Sequence, residues 1–180
     1  VLAGLAHAHA QGVLHGDLKP SNIMLDLQTG KPPRAYILDL GLAWLKQSLH
    51  DPRLDGNPAP ELATHAGAGT VGWVAPEQIR KAATLVGPWT DLYALGCILY
   101  RILVGKEVFE GTAQEVLRAH KRNPVPPLAL PAGVPDGVSQ FVQRILAKKP
   151  WHRFELAADA RRVWARFRPS QSILFEDLVQ

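Results

Sequence analysis

Asp17, Lys19 and Asn22 lie within six residues of one another in the stretch HGDLKPSNIML, from His15 to Leu25. A carboxylate so placed can accept or orient a hydroxyl proton, and a neighbouring ammonium can stabilise negative charge on a group in flight. The asparagine adds a neutral oxygen donor. A second acid, Asp39, closes the apolar run YILDL. An aspartate ending a buried strand is costly unless it meets a partner or a cation. Two acids, one lysine and one asparagine together make a set suited to handling phosphate and magnesium.

These residues need a scaffold. Leu2, Leu5 and Ala6 fall at helical spacing, predicting a helix over 2–9 that Gly12 ends. Pro20 fixes the turn within the loop. Ile23 to Leu25 and Ala35 to Leu38 read as a small hairpin joined by a polar connection. From Leu42 to Ala68 no period holds and prolines are frequent, which predicts a long irregular segment of the kind that usually serves function. Helices follow: a short one from Pro76, then Asp91 to Val104, largely buried and stopped by Gly105. Thr112 and Glu115 form a capping box for a helix reaching about His120. After a proline-rich loop come amphipathic helices over 138–147 and 156–167. Residues 1–167 read as one domain, and 168–180 as a tail or the start of a linker. His7 and His9, two apart, point to different faces of their helix and do not make a metal pair.

This organisation resembles the protein kinase family, in particular its bacterial serine/threonine members. HGDLKPSN resembles the catalytic loop and DLG the magnesium loop. GTVGWVAPE, Gly69 to Glu77, resembles the end of the activation segment. DLYALGCILY, Asp91 to Tyr100, resembles the central buried helix, and KPWHRF, Lys149 to Phe154, the late segment with its arginine. The resemblance implies an α+β fold: the mainly α-helical C-terminal lobe of a protein kinase with small β-hairpins. It implies that Asp17 is the base, that Lys19 stabilises the transferred phosphoryl group, and that Asn22 and Asp39 hold Mg²⁺. Met24 would lie under the adenine of ATP, and Thr70 would bond Asp17 and Lys19. It further implies a buried Glu77–Arg153 pair and an Asp91 that holds the catalytic-loop backbone. D-L-K-P-x-N resembles serine/threonine kinases, whereas tyrosine kinases usually carry alanine and arginine here.

Two departures matter. The family's D-F-G is D-L-G, which keeps an apolar plug. Its H-R-D is H-G-D, with Gly16 where an arginine would read a phosphate on the activation segment. Phosphorylation of Ser48 or Thr64 is therefore not expected to switch the protein on. H-G-D also resembles aminoglycoside and choline kinases, but those usually lack the A-P-E segment and the loop lysine. A pseudokinase or regulatory binding module is the alternative of another class, and the retention of Asp17, Asn22 and Asp39 argues against it.

The sequence shows no Gly-rich phosphate loop and no strand lysine of the V-A-I-K type. It begins with valine inside a helical pattern, so the N-terminal lobe is expected to be missing and the 180-residue chain alone inactive. The partners expected are ATP, that lobe and a protein substrate with serine or threonine. The net charge of +4 is scattered in pairs such as Lys121-Arg122, which gives no nucleic-acid arm. The longest apolar stretch is broken by Arg101 and too short to span a bilayer. One cysteine, Cys97, excludes an internal disulfide, suits a reducing cytoplasm and reads as a packed core thiol.

Overall fold

The computed structural model describes residues 1–40, 71–135 and 137–167. Residues 41–70, with Ser48, Thr64 and Thr70, and residues 168–180, expected to be a tail, lie outside the described residues.

The order of elements is α1 (Leu2–Ala10), a 3₁₀ turn (Pro20–Asn22), β1 (Ile23–Asp26), β2 (Arg34–Ile37), a 3₁₀ turn (Val71–Trp73), α2 (Pro76–Ile79), a 3₁₀ turn (Ala83–Leu85), α3 (Pro88–Val104), α4 (Ala113–Arg122), α5 (Gly137–Ile145), a 3₁₀ turn (Pro150–His152), α6 (Ala157–Trp164) and a last 3₁₀ turn (Ala165–Phe167). Helix dominates, and β structure among the described residues is one antiparallel pair.

α3 is the axis. Every residue from Thr90 to Ile98 is buried, because other elements pack around it: α5, α6 and the turn at Val71–Trp73 all contact it. A helix apolar all round is stable only when so covered. Gly105 ends it in the left-handed conformation, φ +77°, with its N–H on the Arg101 carbonyl. The last turn protrudes: Ile102, placed by its spacing on the buried stripe, is 71% exposed. The capping box of α4 is formed, with Thr112 Oγ1 accepting from the Glu115 N–H and Glu115 Oε2 accepting from the Thr112 N–H at 2.8 Å. Cys97 is buried in the core, and burial pushes its thiol up to about 12, which leaves it an inert apolar filler at neutral pH.

α1 lies against α6 and ends as the spacing predicts, with Gly12 at φ +71° and closing bonds from Gly12 N–H to His9 O and Val13 N–H to Ala8 O. The hairpin pairs Ile23 with Ile37 and Asp26 with Arg34. It leans on α1 through Ile37, which packs at Gly4. Here the structure corrects the sequence. The run YILDL was expected to be a buried strand, yet Tyr36, Leu38, Leu40 and Asp39 are exposed. The physical reason is that a two-stranded sheet has two faces and α1 covers only part of one.

Candidate active site

The residues of the HGDLKPSN loop gather between α1 and β1, held by the buried side chains of His15 and Leu18 and by hydrogen bonds from the loop backbone to Asp91. Asp91, on the first turns of α3, is buried and accepts three hydrogen bonds. The His15 N–H reaches its Oδ2 at 2.9 Å, the Gly16 N–H its Oδ1 at 2.8 Å, and His9 Nε2 its Oδ2 at 2.9 Å. His9, set aside in the sequence as one of two unremarkable histidines, is thus part of the scaffold. Its signal was weak: only its place nearer the H-G-D loop, six residues ahead of His15, distinguishes it from His7.

His15 is buried, and its Nε2 lies 3.0 Å from the Leu38 carbonyl while the Asp17 N–H points at its Nδ1 at 3.3 Å. A carbonyl can only accept, so Nε2 carries the proton and Nδ1 accepts. The ring therefore ties the loop to the strand end that leads into Asp39. Gly16 has φ +76°, a conformation glycine takes without strain.

Within this frame Lys19 Nζ lies 2.7 Å from Asp17 Oδ2, with the lysine side chain 26% and the aspartate 40% exposed. Both groups face accessible space, as reacting groups must. Asn22 is buried and donates its Nδ2 to the Asp17 carbonyl at 3.0 Å. That bond fixes the amide, leaving Oδ1 as the acceptor end. The Asn22 carbonyl accepts from the Leu38 N–H at 2.9 Å, which brings the residue before Asp39 beside Asn22. Asp39 is exposed and left-handed, φ +55°, a conformation aspartate tolerates better than most side chains. Five of the six sequence-predicted residues, Asp17, Lys19, Asn22, Met24 and Asp39, thus lie on one hydrogen-bonded loop and hairpin. Met24, on β1, is 49% exposed and is no part of the core. Thr70 lies outside the described residues.

The donors present fit a small hard cation: a carboxylate and an amide oxygen are what magnesium takes from a protein while keeping waters and phosphate oxygens.

Behind the loop stands a second anchor. Glu77 and Arg153 form a bidentate pair, Nη1 to Oε1 at 2.7 Å and Nη2 to Oε2 at 3.0 Å, both side chains fully buried. Thr90 Oγ1 also donates to Glu77, and the remaining three guanidinium hydrogens go to the carbonyls of Ala147, Trp89 and Lys148. A buried pair with every donor satisfied is the arrangement in which such ions persist.

Residues 1–164 match the protein kinase domain. The chain belongs to that family. The chain is 38% identical over 165 residues to the serine/threonine-protein kinase Pkn1 of Myxococcus xanthus, covering 89% of this chain and 22% of that protein. It is 36% identical over 165 residues to the DNA damage-responsive serine/threonine-protein kinase RqkA of Deinococcus radiodurans, with the same coverage. It is 33% identical over 159 residues to the serine/threonine-protein kinase PknB of Mycobacterium tuberculosis, covering 87% and 23%. The chain spans less than a quarter of the length of these curated relatives.

Proposed function

We propose that the full-length protein containing this chain transfers the γ-phosphoryl group of ATP to serine or threonine hydroxyls of protein substrates. The observation that carries this reading is the Asp17–Lys19 pair at 2.7 Å on a loop whose backbone is held by Asp91. In this reading the Asp17 carboxylate orients the substrate hydroxyl and takes its proton as the oxygen–phosphorus bond forms. The bond from γ-phosphorus to the bridging oxygen breaks, and ADP leaves with the electron pair. Lys19 lies where the ammonium offsets the charge on the transferred group, so its effect is largest in the transition state. Asn22 Oδ1 and the Asp39 carboxylate are the groups that would hold magnesium. When bound, magnesium neutralises charge on the phosphate oxygens.

The described residues correspond, in this reading, to the C-terminal lobe. The exposed side chains of Met24, Leu25, Leu38 and Leu40 support it: an apolar hairpin beside the reacting loop suits the floor of an adenine site whose roof comes from a segment outside the described residues. The 180-residue chain alone is then expected to transfer no phosphate. Among the described residues no helix is long and apolar enough to cross a membrane. We place the reaction in the cytoplasm, where ATP and magnesium are plentiful.

The test is transfer of labelled γ-phosphate by the full-length protein to a generic protein substrate, followed by phosphoamino-acid analysis. Phosphoserine or phosphothreonine that disappears in Asp17→Asn supports the reading. Label found only on small-molecule alcohols would point instead to an aminoglycoside- or choline-kinase-like activity.

A further inference from the structure

Gln78 is the one polar side chain of α2 that reaches the catalytic loop, and neither the motifs nor the mechanism above assign it a task. Its Nε2 donates to the Gly16 carbonyl at 2.7 Å. Its Oε1 accepts the Ala75 N–H at 3.0 Å, capping α2. The two ends of one amide thus join the start of α2 to the peptide group immediately before Asp17.

The bond matters because residue 16 has no side chain to anchor the loop. Its backbone is held from both sides: the N–H by Asp91 at 2.8 Å and the carbonyl by Gln78 at 2.7 Å. The carbonyl of Asp17 is held in turn by Asn22 at 3.0 Å. Both peptide groups flanking Asp17 therefore have a side-chain donor on their oxygen. Gln78 is itself steady, because its neighbour Glu77 is fully buried against Arg153. A small cavity lined by Gly16, Asp17, Leu18, Gln78 and Asp91 borders the bond, so the Gly16–Asp17 peptide is not packed solid on this side, although Leu18 beyond it is buried.

We propose that Gln78 is a positioning residue: it clamps the Gly16–Asp17 peptide to α2 and so sets the aim of the Asp17 carboxylate. The inference rests on Asp17 acting in phosphoryl transfer. Its cost is kinetic, since a reacting group released by a fraction of an ångström loses rate while binding groups elsewhere are untouched.

Two substitutions in the full-length protein separate the roles of the amide. Gln78→Glu keeps the acceptor for the Ala75 N–H, in a helix N-terminal position that favours a carboxylate, but presents oxygen to the Gly16 carbonyl. Gln78→Lys keeps a donor for that carbonyl and loses the cap. With ATP, magnesium and a serine peptide, Gln78→Glu is expected to lower kcat about tenfold, with both KM values within about twofold and a smaller loss of Tm than in Gln78→Lys. Gln78→Lys is expected to lower Tm while retaining most of kcat. A purely capping role gives the reverse order, and that result would overturn the proposal. So would a kcat unchanged in Gln78→Glu while Asp17→Asn abolishes transfer. Transfer unaffected by Asp17→Asn itself would instead remove the phosphoryl-transfer reading on which the proposal stands.

Discussion

Asp91 carries more of the site than any other buried side chain, because its two oxygens gather the backbone of His15 and Gly16 and the ring of His9. Asp91→Asn keeps the shape but turns an N–H₂ toward donors. It is expected to destabilise the fold by about 1–3 kcal/mol, the usual cost of leaving buried donors unmatched. Hydrogen exchange at the His15 and Gly16 amides should quicken, and a shift in the urea midpoint at constant m checks the energy. Arg153→Met strands the fully buried Glu77 carboxylate, with an expected loss of about 3–5 kcal/mol in the same measurement. Residues such as Asp17, Lys19 and Asn22 were legible in the sequence because their partners are local: spacing alone puts them on one loop. His9 and Gln78 were not: their partners lie 82 and 62 positions away, and neither falls within a quoted motif, as the equally long-range Asp91, Glu77 and Arg153 do. A histidine or glutamine that bonds across such a gap leaves no periodic trace in its own neighbourhood.

At the scale of elements, the close approach of α3 to the end of α5 depends on Gly96. A Cβ there would come within 2.9 Å of Ile145 and of Leu146, both fully buried. Gly96→Ala is therefore expected to destabilise by about 1–3 kcal/mol through overpacking, outweighing the gain in helix propensity. Thermal unfolding of the variant checks the sign; a stabilised protein would mean that α5 moves away freely. Helix existence was legible because apolar spacing and caps agree. Gly12, Gly105 and the Thr112–Glu115 box all end or begin helices where their chemistry predicts. Burial was less legible: Ile102 and the YILDL run look like core in one dimension, but whether a neighbour covers them is decided by elements far along the chain.

For the whole molecule, the buried cluster beside α3 makes stability depend on pH. His120 is fully buried, with Nδ1 2.9 Å from the Tyr93 hydroxyl and its ring against Phe109. Burial, reinforced by the charge of Lys148, lowers its pKa from 6.5 to about 4, the backbone of Gly72 opposing. Because the folded value lies below the unfolded one, the unfolded chain takes up the proton first as pH falls. This group's contribution is therefore complete above about pH 6.5, is lost between 6.5 and 4, and is flat below. The full loss is roughly 3 kcal/mol. His120→Gln is expected to remove that part of the slope, read as the difference between the two proteins' unfolding free energies across this range. A slope unchanged by the substitution would place the dependence on the carboxylates instead. No sequence pattern marks His120 as buried, since it sits near the basic end of an amphipathic helix.

The central claim is that Asp17 and its loop partners perform phosphoryl transfer, and the most direct test is the initial rate of γ-phosphate transfer from ATP to a serine peptide by the full-length protein, wild type against Asp17→Asn, with ATP affinity measured on both. A rate lowered by about 10²–10⁴-fold with ATP affinity retained is the predicted result. An undiminished rate in Asp17→Asn would contradict it.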